Sequence, residues 1–230
     1  YQTLSQYYAW ILTYDDIVAQ FNHPDMSANA FGNFTPYDQN VDKLFTMFEL
    51  GNGSGHYSYA NAEKKYFTAL DLGWHIAPTH GEDNHDGTWG ETMRRTVIVA
   101  DKNSNDSLLY AMSKMRVYMT EDPNFTLDVL ANGRYMGSVV EGDKLTFNIS
   151  GSDQVREKKS DAMYNYLAAD YVSNDEIEKV ELITNGGKVI DTHKPTSSTS
   201  FEWKPEVDIK GGQQWFLVKV TQKDGEQVYS

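Results

Sequence analysis

Cysteine is absent from the 230 residues. Its absence excludes disulfides, zinc–thiolate centres and thiol catalysis. It leaves the compartment open, because exported proteins of Gram-positive bacteria often lack cysteine as well. Positive charge is scarce too: 20 Lys+Arg against 33 Asp+Glu give a net charge of −13. A field of that sign repels phosphate backbones and anionic headgroups, so neither nucleic acid nor an anionic membrane is an expected partner, whereas metal cations are drawn in. No apolar run reaches the ~18 residues of a spanning helix, so no membrane insertion is expected. No signal peptide is visible, no tandem repeat stands out, and the chain begins at Tyr1 rather than Met. The expectation is a processed product or fragment of a bacterial protein that is secreted or held at the cell surface. Nucleophile and nucleotide signatures are also missing: there is no G-x-S-x-G elbow, no G-x-x-x-x-G-K-[ST] loop and no H-E-x-x-H helix.

Hydrophobic residues make up 40% of the chain, enough for a real core in one large domain or two modest ones. The periodicity changes along it. In the first ~120 residues, helical and strand signals alternate, as in an α/β fold. Residues 4–13 are spaced as a helix, and Ile17 to Phe21 form a short apolar strand running into Asn22-His23-Pro24. A short helical turn and the strand TMFEL cover 41–50, a helix covers 60–72 with Gly73 as its stop, TVIVA at 96–100 is a strand, and 107–115 is a helix with Leu108, Leu109, Met112 and Met115 on one face. From Phe125 onward the segments FTLDVLANG, YMGSVVEG, LTFNISGSD, VELITNGGKVI, SFEWKPEV and WFLVKVTQKDG alternate apolar and polar residues between Gly-containing turns. That is the pattern of an antiparallel, immunoglobulin-like β-sandwich. Residues 154–175 read as a polar insertion with a helical turn in AMYNYLAA, and the boundary is expected at Asp122-Pro123, giving units of 1–122 and 123–230.

Two turn-like stretches carry the chemistry: FNHP at 21–24 and HGEDNHD at 80–86. Asp83 and His85 have D-x-H spacing, and in an extended segment residues i and i+2 point the same way, so a carboxylate oxygen and an imidazole nitrogen can reach one cation. Together with His23 they form a candidate metal site for zinc, manganese or iron. Both stretches follow expected strands, where sites of α/β folds gather. Glu49 follows another strand, and it and His80 are candidates for orienting the ligands, with Glu82 nearby. Arg94 and Arg95 are candidate catalytic residues that could clamp an oxyanion; the alternative is a solvated pair before a strand. Trp74 and Trp89 are expected to pack rather than to form a substrate platform. His56 and His193 are expected to be ordinary loop and surface residues. The competing view of both stretches is two hydrophilic loops that happen to contain histidine.

In order, FNHP, FELGNG, YFTALDLGWHIAPTHGEDNH, WGETMRRTVIVAD and LLYAMSKMRVYMTED, with NGRYMGS after them, make residues 1–140 similar to the second half of a PHP-domain metallohydrolase, in the branch related to carbaryl-hydrolysing enzymes. The resemblance implies part of a distorted (β/α)7 barrel with a β-sandwich appended, and divalent ions as cofactors. It places His23 on the family's H-P histidine, Asp83 and His85 on its final D-x-H, and Glu49 with Asn52 on its E-x-x-N stretch. The family opens with H-x-H, which this chain lacks. On this resemblance the first half of the barrel is a missing partner, and the chain alone would hold an incomplete, metal-poor site.

The expected function is therefore metal-dependent hydrolysis of a small-molecule ester, foremost a phosphoester, by the intact parent, the chain alone being inactive. One alternative is a surface adhesion module that binds glycan or cell wall through Trp203 or Trp215, although both lie in alternating strands and are expected in the core. Another is that the sandwich only covers an edge of the α/β part or orients it.

Overall fold

The computed structural model describes residues 3–53, 59–87, 89–90, 92–155 and 172–230. His56 and the helical turn expected at 162–169 lie outside them. The chain opens with α1 (Leu4–Ile11), capped by the Thr3 side chain, which accepts from Gln6 N at 3.2 Å. Then follow β1 (Ala19–Phe21), α2 (Gln39–Asp42), β2 (Phe45–Asn52), β3 (Ala60–Asn61), α3 (Glu63–Asp71) and β4 (Ala77–Gly81). Gly73, at φ +101°, ends α3 as a left-handed stop, with its N–H on Leu70 O. β1 and β4 flank β2, both parallel to it, and β3 adds a short antiparallel rung. Phe21, Phe34, Phe45, Phe48, Tyr66 and Trp74 fill the core against this small sheet. The Trp74 indole satisfies its N–H on Phe34 O at 2.9 Å.

The chain continues with β5 (Arg95–Ile98), α4 (Asn105–Ser113) and β6 (Val117–Thr120). Next come β7 (Thr126–Ala131), β8 (Arg134–Tyr135), β9 (Lys144–Ser152), β10 (Ile177–Thr184), β11 (Lys188–His193), β12 (Ser200–Trp203), β13 (Glu206–Asp208), β14 (Phe216–Gln222) and β15 (Gln227–Tyr229). One sheet runs β11-β10-β14-β15-β6-β5; the other runs β12-β9-β7-β8, with β13 also on β9. Leu127, Val129, Phe147 and Ile149 of the second sheet meet Val180, Leu182, Val218 and Val220 of the first, which makes the sandwich core. The six-stranded sheet is apolar on its other face as well. Met119, Ile183, Leu217 and Tyr229 pack into the aromatic core of the α/β region.

The molecule is therefore mainly β with few helices, and its sheets are open. Among the described residues, a run of barrel strands does not form: only β1, β2 and β4 are parallel to one another, whereas β5 and β6 pair antiparallel. The cause is local: Val99 N donates to Arg116 O at 2.8 Å, so the excursion through α4 begins and ends at the same end of the sheet. The returning strand β6 then takes the C-terminal strand β15 as its other neighbour. The expected apolar face of α4 is also revised: Ala111 is its buried residue and Leu109 is 47% exposed. Of the segment YMGSVVEG, only Tyr135 joins a strand, and Val139 stands in solvent.

Candidate functional site

The three parallel strands deliver their carboxyl ends to one edge, and the two histidine-bearing turns meet there at Glu49. This side chain is 4% exposed and lies on β2. Its Oε2 accepts from the backbone N–H of His23, beyond β1, and from Asn52 Nδ2 at 3.1 Å. Gly81, at the end of β4, lies so close beneath the carboxylate that a Cβ there would collide with Glu49 Oε1. Burial pushes the Glu49 carboxyl up; the two hydrogen bonds and His23 pull it back, and the negative charge of Asp83 pushes it up again. Two backbone conformations at this edge are unusual for residues with a Cβ: His23 has φ +35° and Asp83 φ +49°.

The D-x-H pair is not extended. With Asp83 in the left-handed region, which aspartate tolerates better than most residues, the ring of His85 folds back and its Nε2 lies 3.0 Å from Asp83 Oδ1. The two donors face each other and not outward in parallel, and the His85 side chain is 78% exposed. Glu82 closes the same loop, its carboxylate accepting from Gly90 N and Thr92 N at 3.0–3.1 Å.

His80 lies within β4, one strand away from Gly51 of β2. Its Nε2 is 3.0 Å from Gly53 O, and its backbone exchanges two hydrogen bonds with the Thr96 hydroxyl. Burial, reinforced by Arg94 and Arg95, pushes His80 down to about 4, against the opposing pull of the Gly53 bond and Glu82. It is a neutral donor near neutral pH and holds strand ends together. Arg94 lies over the Tyr59 ring at 3.7 Å. Tyr59 donates to Glu121 at 2.5 Å, and the positive charge of Arg94 offsets part of the upward push that burial gives Glu121. Arg95 Nη1 donates to the carbonyls of Thr92 and Arg94. Both arginines are thus partly engaged by their own turn and neighbours.

Imidazoles and carboxylates from His23, Glu49, Asp83 and His85 suit a borderline divalent ion in kind. They are not drawn to a common point. Among the described residues, three such ligand atoms come within 4.8 Å of one another at Asp122, Asp153 and Asp175, all buried. Sequence reasoning passed over that group, although a signal existed. Asp153 continues the inward register of Leu145, Phe147, Ile149 and Gly151, and Gln222 that of Val218 and Val220. Of the tryptophans, Trp74 is core as expected, but Trp89 is 78% exposed beside the candidate edge and does not pack. Trp203 stacks on His193, and Trp215 on Phe67 with its Nε1 on Asp71 at 2.7 Å. These contacts hold both indoles against the protein. Among the described residues, no helix is long and apolar enough to cross a membrane. Compared with known proteins, the chain matches no family model, no curated protein and no solved structure.

Proposed function

We propose that the chain belongs to a divalent-metal-dependent hydrolase acting on small esters, foremost phosphoesters. The observation that supports this is that the turn bearing His23 and the loop bearing Asp83 and His85 both border Glu49 at the carboxyl ends of three adjacent parallel strands, although their side chains do not converge on one point. The same residues carry the resemblance to PHP-domain metallohydrolases, and β1, β2 and β4 would be strands of that family's distorted barrel, followed by the immunoglobulin-like sandwich. A divalent ion held there would lower the pKa of a bound water and polarise the ester. His23, Asp83 and His85 would be its ligands, with the Asp83–His85 contact opening to admit it. Glu49 would fix the His23 turn through its backbone N–H, and His80 would keep the β4 end in place against Gly53. Arg95, with Arg94 beside it, would stabilise the negative charge that develops on the ester oxygens.

The test, made on the intact parent protein, is hydrolysis of an aryl phosphate and an aryl ester after chelation and after readdition of zinc, manganese or iron. Turnover that needs the ion and falls at least ~100-fold in Asp83→Asn and in His85→Gln supports the assignment. Turnover that is absent with every ion, or that is unchanged in both variants, overturns it.

A further inference from the structure

Between the sandwich and the turn that joins α3 to β4 lies a cavity of about 450 Å³. That volume falls within the ~300–1,000 Å³ of small-molecule sites. The cavity borders the amino end of β4, whereas the candidate hydrolytic edge is at the carboxyl end of the same strand. Its walls are mainly apolar. Ala131, Leu145 and Phe147 come from the inner face of one sheet, Trp215 and Phe216 from the start of β14 in the other, and Met115 from the corner between α4 and β6.

Arg134 is out of character with this lining. Ala131 continues the inward register of Leu127 and Val129 on β7, and Arg134 on β8 pairs directly with Ala131. Directly paired residues of an antiparallel ladder share a face. Arg134 therefore stands at an inward position, and Met136, two residues on, packs against the sandwich core. Among the described residues the Arg134 guanidinium makes no hydrogen bond, ion pair or ring contact, although it lines the cavity.

A second polar group enters from the α/β side. The Asp42 carboxylate accepts from His75 N and His75 Nδ1, both at 2.7 Å, and from the Tyr37 hydroxyl at 2.9 Å. These bonds fix the imidazole and leave Nε2 as its nitrogen without a partner among the described residues. The bond to Asp42 also holds the His75 pKa above its ordinary value, against the opposing effect of burial. Asp71 lines the cavity too, but its carboxylate is already taken by Gly186 N, Asn185 Nδ2 and Trp215 Nε1. The side-chain charge left uncommitted in the lining is therefore positive, in a chain whose net charge is −13.

We propose that this cavity binds a small amphiphilic carboxylate, with its apolar body against Ala131, Phe147 and Trp215 and its carboxylate on Arg134. The apolar walls suit the body of such a ligand. A guanidinium pairs a carboxylate through two parallel N–H bonds, which a neutral alcohol of the same length does not reproduce.

The test is calorimetric titration of the full chain with decanoate and with decanol. Decanoate is expected to saturate one site, and decanol to bind at least ~10-fold more weakly, the worth of a hydrogen bond to a charged group. Arg134→Gln is expected to weaken decanoate at least ~10-fold as well, and Ala131→Phe, which fills the cavity, to abolish binding. Asp83→Asn is expected to keep it, which separates this site from the hydrolytic one. Arg134 is exposed, so Arg134→Gln carries the test if Ala131→Phe does not fold. No saturable binding at millimolar decanoate, equal affinities for decanoate and decanol, or an unchanged affinity in Arg134→Gln overturns the assignment.

Discussion

Acid should weaken this protein through His80. Buried in β4 and pushed from the usual 6.5 down to about 4, His80 stays neutral in the folded chain while the unfolded chain protonates it. Between those two values the unfolded state binds the extra proton, so stability falls as pH falls; the contribution is complete above pH 6.5 and has gone by pH 4. At ~1.4 kcal/mol per pH unit, the full loss is about 3 kcal/mol. Buried carboxyls work in the opposite direction. Glu49, Glu121 and Asp122 are all pushed up by burial, so they take up protons in the folded state first and favour it as pH falls. Wild-type stability alone would mix the two effects. His80→Gln keeps a side-chain N–H for Gly53 O and removes the titrating ring. Urea unfolding of both proteins at pH 7.5 and pH 4.5 therefore isolates the histidine by difference. The wild type is expected to lose ~2–3 kcal/mol more than His80→Gln on acidification. Equal losses, or an imidazole Cε1–H resonance that titrates at or above 6.5, would show that the burial does not act as described.

Three other substitutions probe the packing. Gly81→Ala drives a methyl group into Glu49 and should cost ~1–3 kcal/mol in urea unfolding; it should also loosen the His23 turn, seen as faster amide exchange at His23 N. Trp74→Ala empties the centre of the aromatic core and leaves Phe34 O without its donor, an expected loss of ~3–5 kcal/mol. Asp71 accepts from Gly186 N, Asn185 Nδ2 and Trp215 Nε1 and so ties α3 to the β10–β11 turn. Asp71→Ala should cost ~1–3 kcal/mol and speed proteolysis at residues 185–187, with the far end of the sandwich unaffected.

Local rules made much of this architecture legible. α1, α3, the stop at Gly73, the apolar strand ending at Phe21 and the alternating strands after Phe125 all follow from periodicity and turn chemistry, which depend on neighbours in the chain. So does the inward register of Asp153 and Gln222, once each strand is read to its end. Partner choice did not follow. Nothing between residues 117 and 120 says that β6 will take β15 as a neighbour, because strand pairing depends on which edges meet in space. The six-stranded sheet serves two cores at once for the same reason: strand geometry sends the adjacent Leu217 and Val218 to opposite faces, but only packing decides that both faces are covered.

The sites divide in the same way. The sequence by itself determined which groups are available: imidazoles and carboxylates in two turns, an acidic chain, and no thiol. Tertiary structure alone decided what those groups face. It turned His85 onto Asp83, laid Arg94 over Tyr59, seated Glu49 at the meeting of three strand ends, and gathered three aspartates around an amide. Charge and donor type are properties of a residue, whereas coordination and burial are properties of distances between residues far apart in the chain, and those distances are set only when the sheets close on one another.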